Sequence, residues 1–398
     1  MSEVYSKALH KTIEVNRIIG KISGKNSGPV VIFTGGIHGN ESAGVFALQR
    51  VLDFLKPQES IFNGSIYALS GNLSALKNGE RYNEKDLNRI WTPEYTNLLE
   101  QDNFKPSGED EQEQLELFKA VQHILTVELG PFYFIDLHTT SGKTIPFAIL
   151  NDSLLNRKFT MQYPIPLVLG IEEYLIGPFL SYINELGYVA FGYESGQHDS
   201  KQAIDYHESF IFLTLYFLDI WKNEALFKKH FKRLADAGKG FDKFYEIFYE
   251  HKIANNSNFI MKSGFENFQK IQKNQELAIE NGIKVPAPRK GRIFMPLYQQ
   301  MGDDGFFLIR QIPYYFLEIS KVLRNLKFDT MLPLLPGVRW QSQKKDTLLV
   351  NRKIARFFAK QFFHLMGYRS KTLNKNHLIV KNREAASRNM DYKEASWY

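Results

Sequence analysis

The sequence predicts an α/β fold. Over roughly the first 250 residues, short apolar runs alternate with segments of helical periodicity, the pattern of a sheet covered by helices. Several of the runs are closed by glycine, as buried strands are. Two of them end in a histidine, and open α/β sheets place their ligands at the carboxyl ends of strands.

In chain order, residues 4–28 read as one or two entry strands, with Gly24, Gly28 and Pro29 as turn signals. Val30 to Thr34 is a strand ending on Gly35-Gly36, where the backbone turns sharply. A helix follows over 42–55, and Ser65 to Leu69 is the next short strand. It leads to a long polar loop carrying Arg81-Tyr82-Asn83-Glu84-Lys85-Asp86-Leu87-Asn88-Arg89. Residues 92–112, rich in Pro, Asn, Gln, Asp and Glu, read as an exposed loop. Leu115, Phe118, Val121, Ile124 and Leu125 form the stripe of a helix over 112–128. Strands are expected at Tyr133 to Thr140, at Ile145 to Leu150 and at the end of 161–169. A helix over Phe179 to Leu186 and a strand over Tyr188 to Tyr193 come next, and a helical stretch from Ala203 to about Glu250 closes the domain.

From about Asn255 the texture changes to short β runs with regular turns. Val285-Pro286-Ala287-Pro288 with Gly291-Arg292-Ile293 resembles the small β-barrel of lipoyl and biotinyl carrier domains; the modified-lysine turn of a carrier is not evident, so the module reads as structural. From Val322 the chain reads as a helical, basic tail with Phe357, Phe358, Phe362, Phe363 and Leu365 as its apolar face. The expected division is therefore 1–250, 251–321 and 322–398.

At 43% hydrophobic and 14% aromatic, 398 residues are ample for such cores. The absence of cysteine excludes disulfides, thiolate metal sites and a cysteine nucleophile, so a metal here must use His, Asp or Glu. Residues 322–398 hold 16 Lys/Arg against 5 Asp/Glu, which leaves the rest of the chain net negative despite an overall charge of +7. That excess is read as a solvated face, with no nucleic-acid partner. Met1 to Asn16 has no signal-peptide core, and Phe210 to Trp221 is too short to span a membrane; a cytoplasmic protein is expected.

The chemistry starts at Gly35-Gly36-Ile37-His38-Gly39-Asn40-Glu41. One imidazole and one carboxylate three residues apart can close on one Zn²⁺, with a third protein ligand and a water completing the site. The same pair also fits a solvated loop. Asp136-Leu137-His138 ends the second histidine strand. Asp136 and His138 point to one side of a strand, so Asp136 either orients a metal-bound imidazole or caps the following loop.

These motifs, with the Arg81–Arg89 block and Gly192-Tyr193-Glu194-Ser195-Gly196, resemble the aspartoacylase and succinylglutamate desuccinylase family, a branch of the zinc carboxypeptidase superfamily. The blocks stand in the family's order over roughly 15–200. The resemblance implies a zinc-carboxypeptidase-like mixed sheet flanked by helices, ahead of the β-rich module and the tail. It implies His38, Glu41 and His138 as ligands of one zinc per chain, and Glu194 as general base for a zinc-activated water. It implies that Arg81 polarises the scissile carbonyl, that Asn88 and Arg89 grip a substrate carboxylate, and that Asp86 orients one of the arginines. The implied reaction removes an acyl group from a small N-acylated amino acid with a free carboxylate. A carboxypeptidase on short peptides is the alternative, and an inactive ligand-binding or scaffolding descendant a third. The full set of metal ligands and Glu194 speaks against the third. Two departures from the family are visible. No arginine stands shortly before Glu194, where Tyr182, Asn184 and Glu185 are found, and Tyr298 is only a candidate for the family's C-terminal tyrosine. The specific substrate stays open, and a homo-oligomer is possible.

Overall fold

The structure, a computed structural model, describes all residues except 242, 352–359 and 373–376. Its centre is an eleven-stranded mixed sheet. Across the sheet the strands run in the order Lys270–Ile271, Gly291–Phe294, Asp304–Gln311, Phe244–Lys252, Leu167–Leu169, Phe147–Leu150, Val189–Gln197, Phe132–Thr140, Asn26–Gly35, Asn63–Ser70 and Ile18–Ser23. The strand of Glu194 lies parallel to that of His138, and the strand leading to His38 lies parallel to it on the other side. The three therefore end at the same sheet edge.

Both faces of this sheet are covered, which is why its central strands are continuous apolar runs rather than alternating ones. Val31, Phe33, Ile135 and Phe191 face one core, shared with the helices Ala43–Leu55 and Lys201–Phe217. Val30, Ile32 and Phe134 face the other, shared with Glu109–Val127 and Phe179–Glu185. The strand–turn that begins at Gly35 is as tight as the paired glycines require. Gly36 has φ of +73°, and a Cβ there would stand 2.7 Å from Leu76.

Three expectations are corrected. The loop over 92–112 contains the short helix Pro93–Leu99, capped by Thr92, whose hydroxyl accepts the Tyr95 N–H. The helical stretch to Glu250 ends at Ala237. Phe244–Lys252 is a strand, pairing in parallel with Leu167–Leu169 and antiparallel with Asp304–Gln311. The tail is not mainly helical. The helices Tyr314–Asn325 and Lys360–Leu365 accompany a four-stranded sheet of Val338–Trp340, Thr347–Asn351, Tyr368–Thr372 and His377–Asn382. Of the expected apolar face, Phe357 and Phe358 and the Phe362 side chain lie outside the described residues, while Phe363 is buried.

The β-rich stretch after 251 is stitched into the main sheet by three of its strands, and β pairing runs through position 250. Its other strands, Phe259–Met261, Glu276–Glu280 and Ile283–Pro286, form a separate sheet. Met261, Leu277, Ile293 and Leu308, two from each sheet, share one apolar core, so the two sheets pack on one another. The chain end also returns to the main sheet: the buried Tyr392 hydroxyl donates to the Phe132 carbonyl (2.6 Å) and accepts from the Val189 N–H (3.0 Å). No described helix is long and apolar enough to cross a membrane.

Candidate metal centre

His38 leaves the sheet edge on the Gly36 turn, and Glu41 closes that turn, its N–H donating to the His38 carbonyl (3.1 Å). His138 arrives from the adjacent strand. The ligand atoms of His38, Glu41 and His138 lie within 4.8 Å of one another, and all three side chains are buried. Each Nδ1 faces a different Glu41 oxygen, His38 at 2.8 Å and His138 at 3.1 Å. Each Nε2 faces a second carboxylate, Asp86 at 3.2 Å from His38 and Asp136 at 2.6 Å from His138. Carboxylates behind two converging imidazoles are what holds ligating histidines in one tautomer and orientation. Two imidazole nitrogens and one carboxylate oxygen are also a donor set that zinc takes. The residues fit a metal ion.

Electrostatics agree with the geometry. Burial opposes a charged Glu41, but His38 and His138 together hold its carboxyl well below the usual range. Burial likewise opposes a charged His138, and Asp136 with Glu41 overcomes it, raising the imidazole well above its ordinary value. Glu194 behaves in the opposite way. Burial pushes its carboxyl well up, the attraction of His138 is insufficient to reverse this, and Glu41 and Asp136 push further. Glu194 is level with His138 in strand register, and its Oε2 is buried with no hydrogen-bond partner.

The Arg81 loop is tied to the His38–Glu41 turn, the Gly39 N–H donating to the Arg81 carbonyl (3.1 Å). A Cβ on Gly39 would stand 2.0 Å from the Ala75 backbone, so only glycine allows this approach. Asp86 accepts from Arg81 Nε and Nη2 on one oxygen (3.2 and 3.0 Å) and faces His38 with the other. Arg81 Nη1 is left 3.8 Å from Glu41. Burial works against a charged Asp86, but Arg81, His38 and Arg89 hold it well below the usual carboxylate range. Asn88 lines the cavity and uses its Oδ1 to accept the Phe179 N–H (2.9 Å). Arg89 lines it too and donates to Asp304 (3.0 Å).

All seven sequence-derived site residues thus border one cavity. Tyr298 does not border it, because its hydroxyl is taken up by the backbone of Lys262 and Phe265. Sequence reasoning missed Asp304, which meets Arg89, and Thr139, whose N–H donates to Glu41 (2.8 Å). It also missed His198, whose ring bonds the Thr139 hydroxyl (2.7 Å) and Gln299 (3.0 Å). Thr139 was within reach, as the residue after a candidate ligand. Asp304 and Gln299 carry no local signal.

Comparison with known proteins points the same way. Residues 27–205 match the succinylglutamate desuccinylase/aspartoacylase catalytic domain. A succinylglutamate desuccinylase of Pseudomonas paraeruginosa is 32% identical over 83 residues, 21% of this chain and 25% of that protein. One of Pseudomonas aeruginosa is 28% identical over 136 residues, 33% of this chain and 37% of that protein. The matches thus span well under half of these relatives' length. The fold is similar to a succinylglutamate desuccinylase/aspartoacylase of Rhodobacter sphaeroides (TM-score 0.54, 16% identity, 76% of this chain and 91% of the other). It is also similar to an aspartoacylase family protein of Mesorhizobium loti (TM-score 0.52, 16% identity, 78% and 93%).

Proposed function

We propose, from the premise that residues 27–205 carry the catalytic domain of the succinylglutamate desuccinylase/aspartoacylase family, that this protein is a zinc-dependent deacylase of N-acylated amino acids. The observation that carries the reading is the buried His38–Glu41–His138 group beside a buried carboxylate, Glu194, with an unpartnered oxygen. A zinc ion held by those three residues supplies Lewis acidity and lowers the pKa of water. Glu194 takes the proton of the attacking water and returns it to the amine nitrogen as the amide bond breaks. Arg81, fixed by Asp86, presents Nη1 to the oxygen on which negative charge develops. Asn88 and Arg89 hold the substrate carboxylate, which Arg suits because its planar fork meets both oxygens. To do so the carboxylate displaces Asp304 from Arg89.

The test is Glu194→Gln. Assayed on a panel of N-acyl amino acids and peptides with free C-termini, it should retain zinc and substrate binding. Turnover should fall by roughly two to four orders of magnitude. Wild-type-like turnover in this variant, or release of amino acids from peptides in preference to acyl groups, would refute the assignment.

A further inference from the structure

One side of the cavity, next to the candidate metal centre, is lined mainly by small and apolar side chains. Ala190, Gly192 and Glu194 alternate along one strand and share a face. The first two have almost no side chain, so a slot opens next to Glu194. A Cβ on Gly192 would point into it, standing 3.7 Å from Leu180 and 3.9 Å from His138. The slot is walled by Ile149, Ile171, Leu175 and Leu180. Asn151 and Ser181 line it as well, and they hydrogen-bond each other (3.3 Å).

Charge is what the slot lacks. Among the described residues lining the whole cavity the only arginines or lysines are Arg81 and Arg89, and both already face carboxylates, Asp86 and Asp304. Arg369 approaches the Leu175 carbonyl (3.5 Å) but lines a different cavity. A carboxylate entering the slot would shed water with no cation to receive it, while an alkyl or aryl group gains by burial.

The slot's position identifies which part of a substrate fills it. Leu180 follows Phe179, whose N–H is bound by Asn88, so this wall is built directly onto the carboxylate clamp. A group branching from the carbon that bears the clamped carboxylate would enter here. We infer that the slot receives the side chain of the substrate's amino acid, and that this side chain is uncharged and apolar, as in leucine, methionine or phenylalanine. The inference rests on the deacylase reading for placing the substrate carboxylate at Arg89.

Calorimetric binding to the zinc-loaded Glu194→Gln protein tests it without requiring turnover. N-acetyl-leucine should bind roughly ten- to a hundredfold more tightly than N-acetyl-aspartate, the range expected for burying one aliphatic side chain. In the same background Leu180→Arg should reverse the order. Gly192→Ala, whose Cβ meets its neighbours only at ordinary contact distance, should weaken N-acetyl-leucine severalfold more than N-acetyl-glycine, whereas general disruption would weaken both alike. N-acetyl-aspartate binding as tightly as N-acetyl-leucine, or no binding of N-acetyl-leucine at all, would overturn the inference. Wild-type turnover is read in parallel: the expected binding order without hydrolysis of either compound supports the slot and sinks the deacylase reading.

Discussion

Replacing Glu250 by glutamine should stabilise the protein, and only at the alkaline end of its range. Glu250 lies on the strand Phe244–Lys252, half-buried, against the strand that carries Asp304. Burial raises its carboxyl, the hydrogen bond and charge of Asp304 raise it further, and Lys252 and Arg89 counter only in part, so that it titrates at about 7. A carboxyl whose folded-state pKa exceeds its unfolded value destabilises the fold once ionised. The penalty is absent below the unfolded pKa of 4.5, grows as pH rises, and is complete above about 7. The full distance between those values corresponds to about 3.4 kcal/mol, at about 1.36 kcal/mol per pH unit. Water reaches one side of Glu250, so screening should reduce this to about 1–2 kcal/mol. Urea unfolding of wild type and Glu250→Gln at pH 4.5 and pH 8 measures it. The difference in stability should open by that amount between the two pH values, while titrations elsewhere cancel. Asp304→Asn should reduce the effect by removing the neighbouring charge, leaving the part due to burial. A difference that is the same at both pH values would refute the reasoning, since it would mean that Glu250 does not titrate anomalously.

Three further predictions concern the metal, the arginines and the tail. The wild type should bind about one zinc per chain, and His138→Ala should lose it while keeping the far-UV circular dichroism of the folded chain; full metal occupancy of the variant by elemental analysis would remove His138 from the ligand set. Arg89→Ala should act mainly on KM, and Arg81→Ala mainly on kcat by about a hundredfold, because the carboxylate is present throughout and the oxyanion only in the transition state; steady-state kinetics showing equal kcat losses would show the division to be wrong. Arg324→Ala should cost about 3 kcal/mol in denaturant unfolding. Its guanidinium is buried and bonds Asp152 (2.9 Å), Glu384 (2.9 Å) and the His364 carbonyl (2.9 Å), so its loss strands buried acceptors; an effect under a few tenths of a kcal/mol would show the network to be solvated.

The candidate ligands His38, Glu41 and His138 were legible because their signal is local. An apolar run between glycines implies a buried strand and its end the sheet edge, and His138 and Glu194 stand two and three residues before the ends of their strands. Asp86 and Asp136 lay within a few residues of the groups they orient. What escaped depends on pairing between distant segments. Phe244–Lys252 is aromatic-rich without clear alternation, and its strand conformation follows from the two neighbours it joins. The tail strands are three to six residues long, too short for periodicity to distinguish from frayed helix. The helix Pro93–Leu99 does carry a local signal, Thr92-Pro93, a cap followed by proline at the first helical position, inside a stretch of otherwise polar composition. Asp304 sits 215 residues from Arg89, and nothing near it in the sequence distinguishes it from any turn aspartate between glycines.

That distant contact bears on what the later part of the chain does. Asp304 begins a strand of the main sheet, and Gln299, in the loop before it, bonds both Asn40 (2.9 Å) and His198 (3.0 Å) beside the metal ligands. The segment Met295–Pro296–Leu297 lines the same cavity. The β-rich stretch therefore supplies one wall of the candidate active site and the carboxylate that meets Arg89. The basic tail is likewise partly internal. Arg383 is buried against Asp152 (3.3 Å) and Glu173 (2.9 Å), and Arg324 against Asp152, so part of the positive excess neutralises carboxylates of the main sheet's own loops. Asp152 lies one residue from Asn151, which lines the apolar slot. The tail thus braces, from behind, the loop that bounds the compartment where the substrate side chain is inferred to lie.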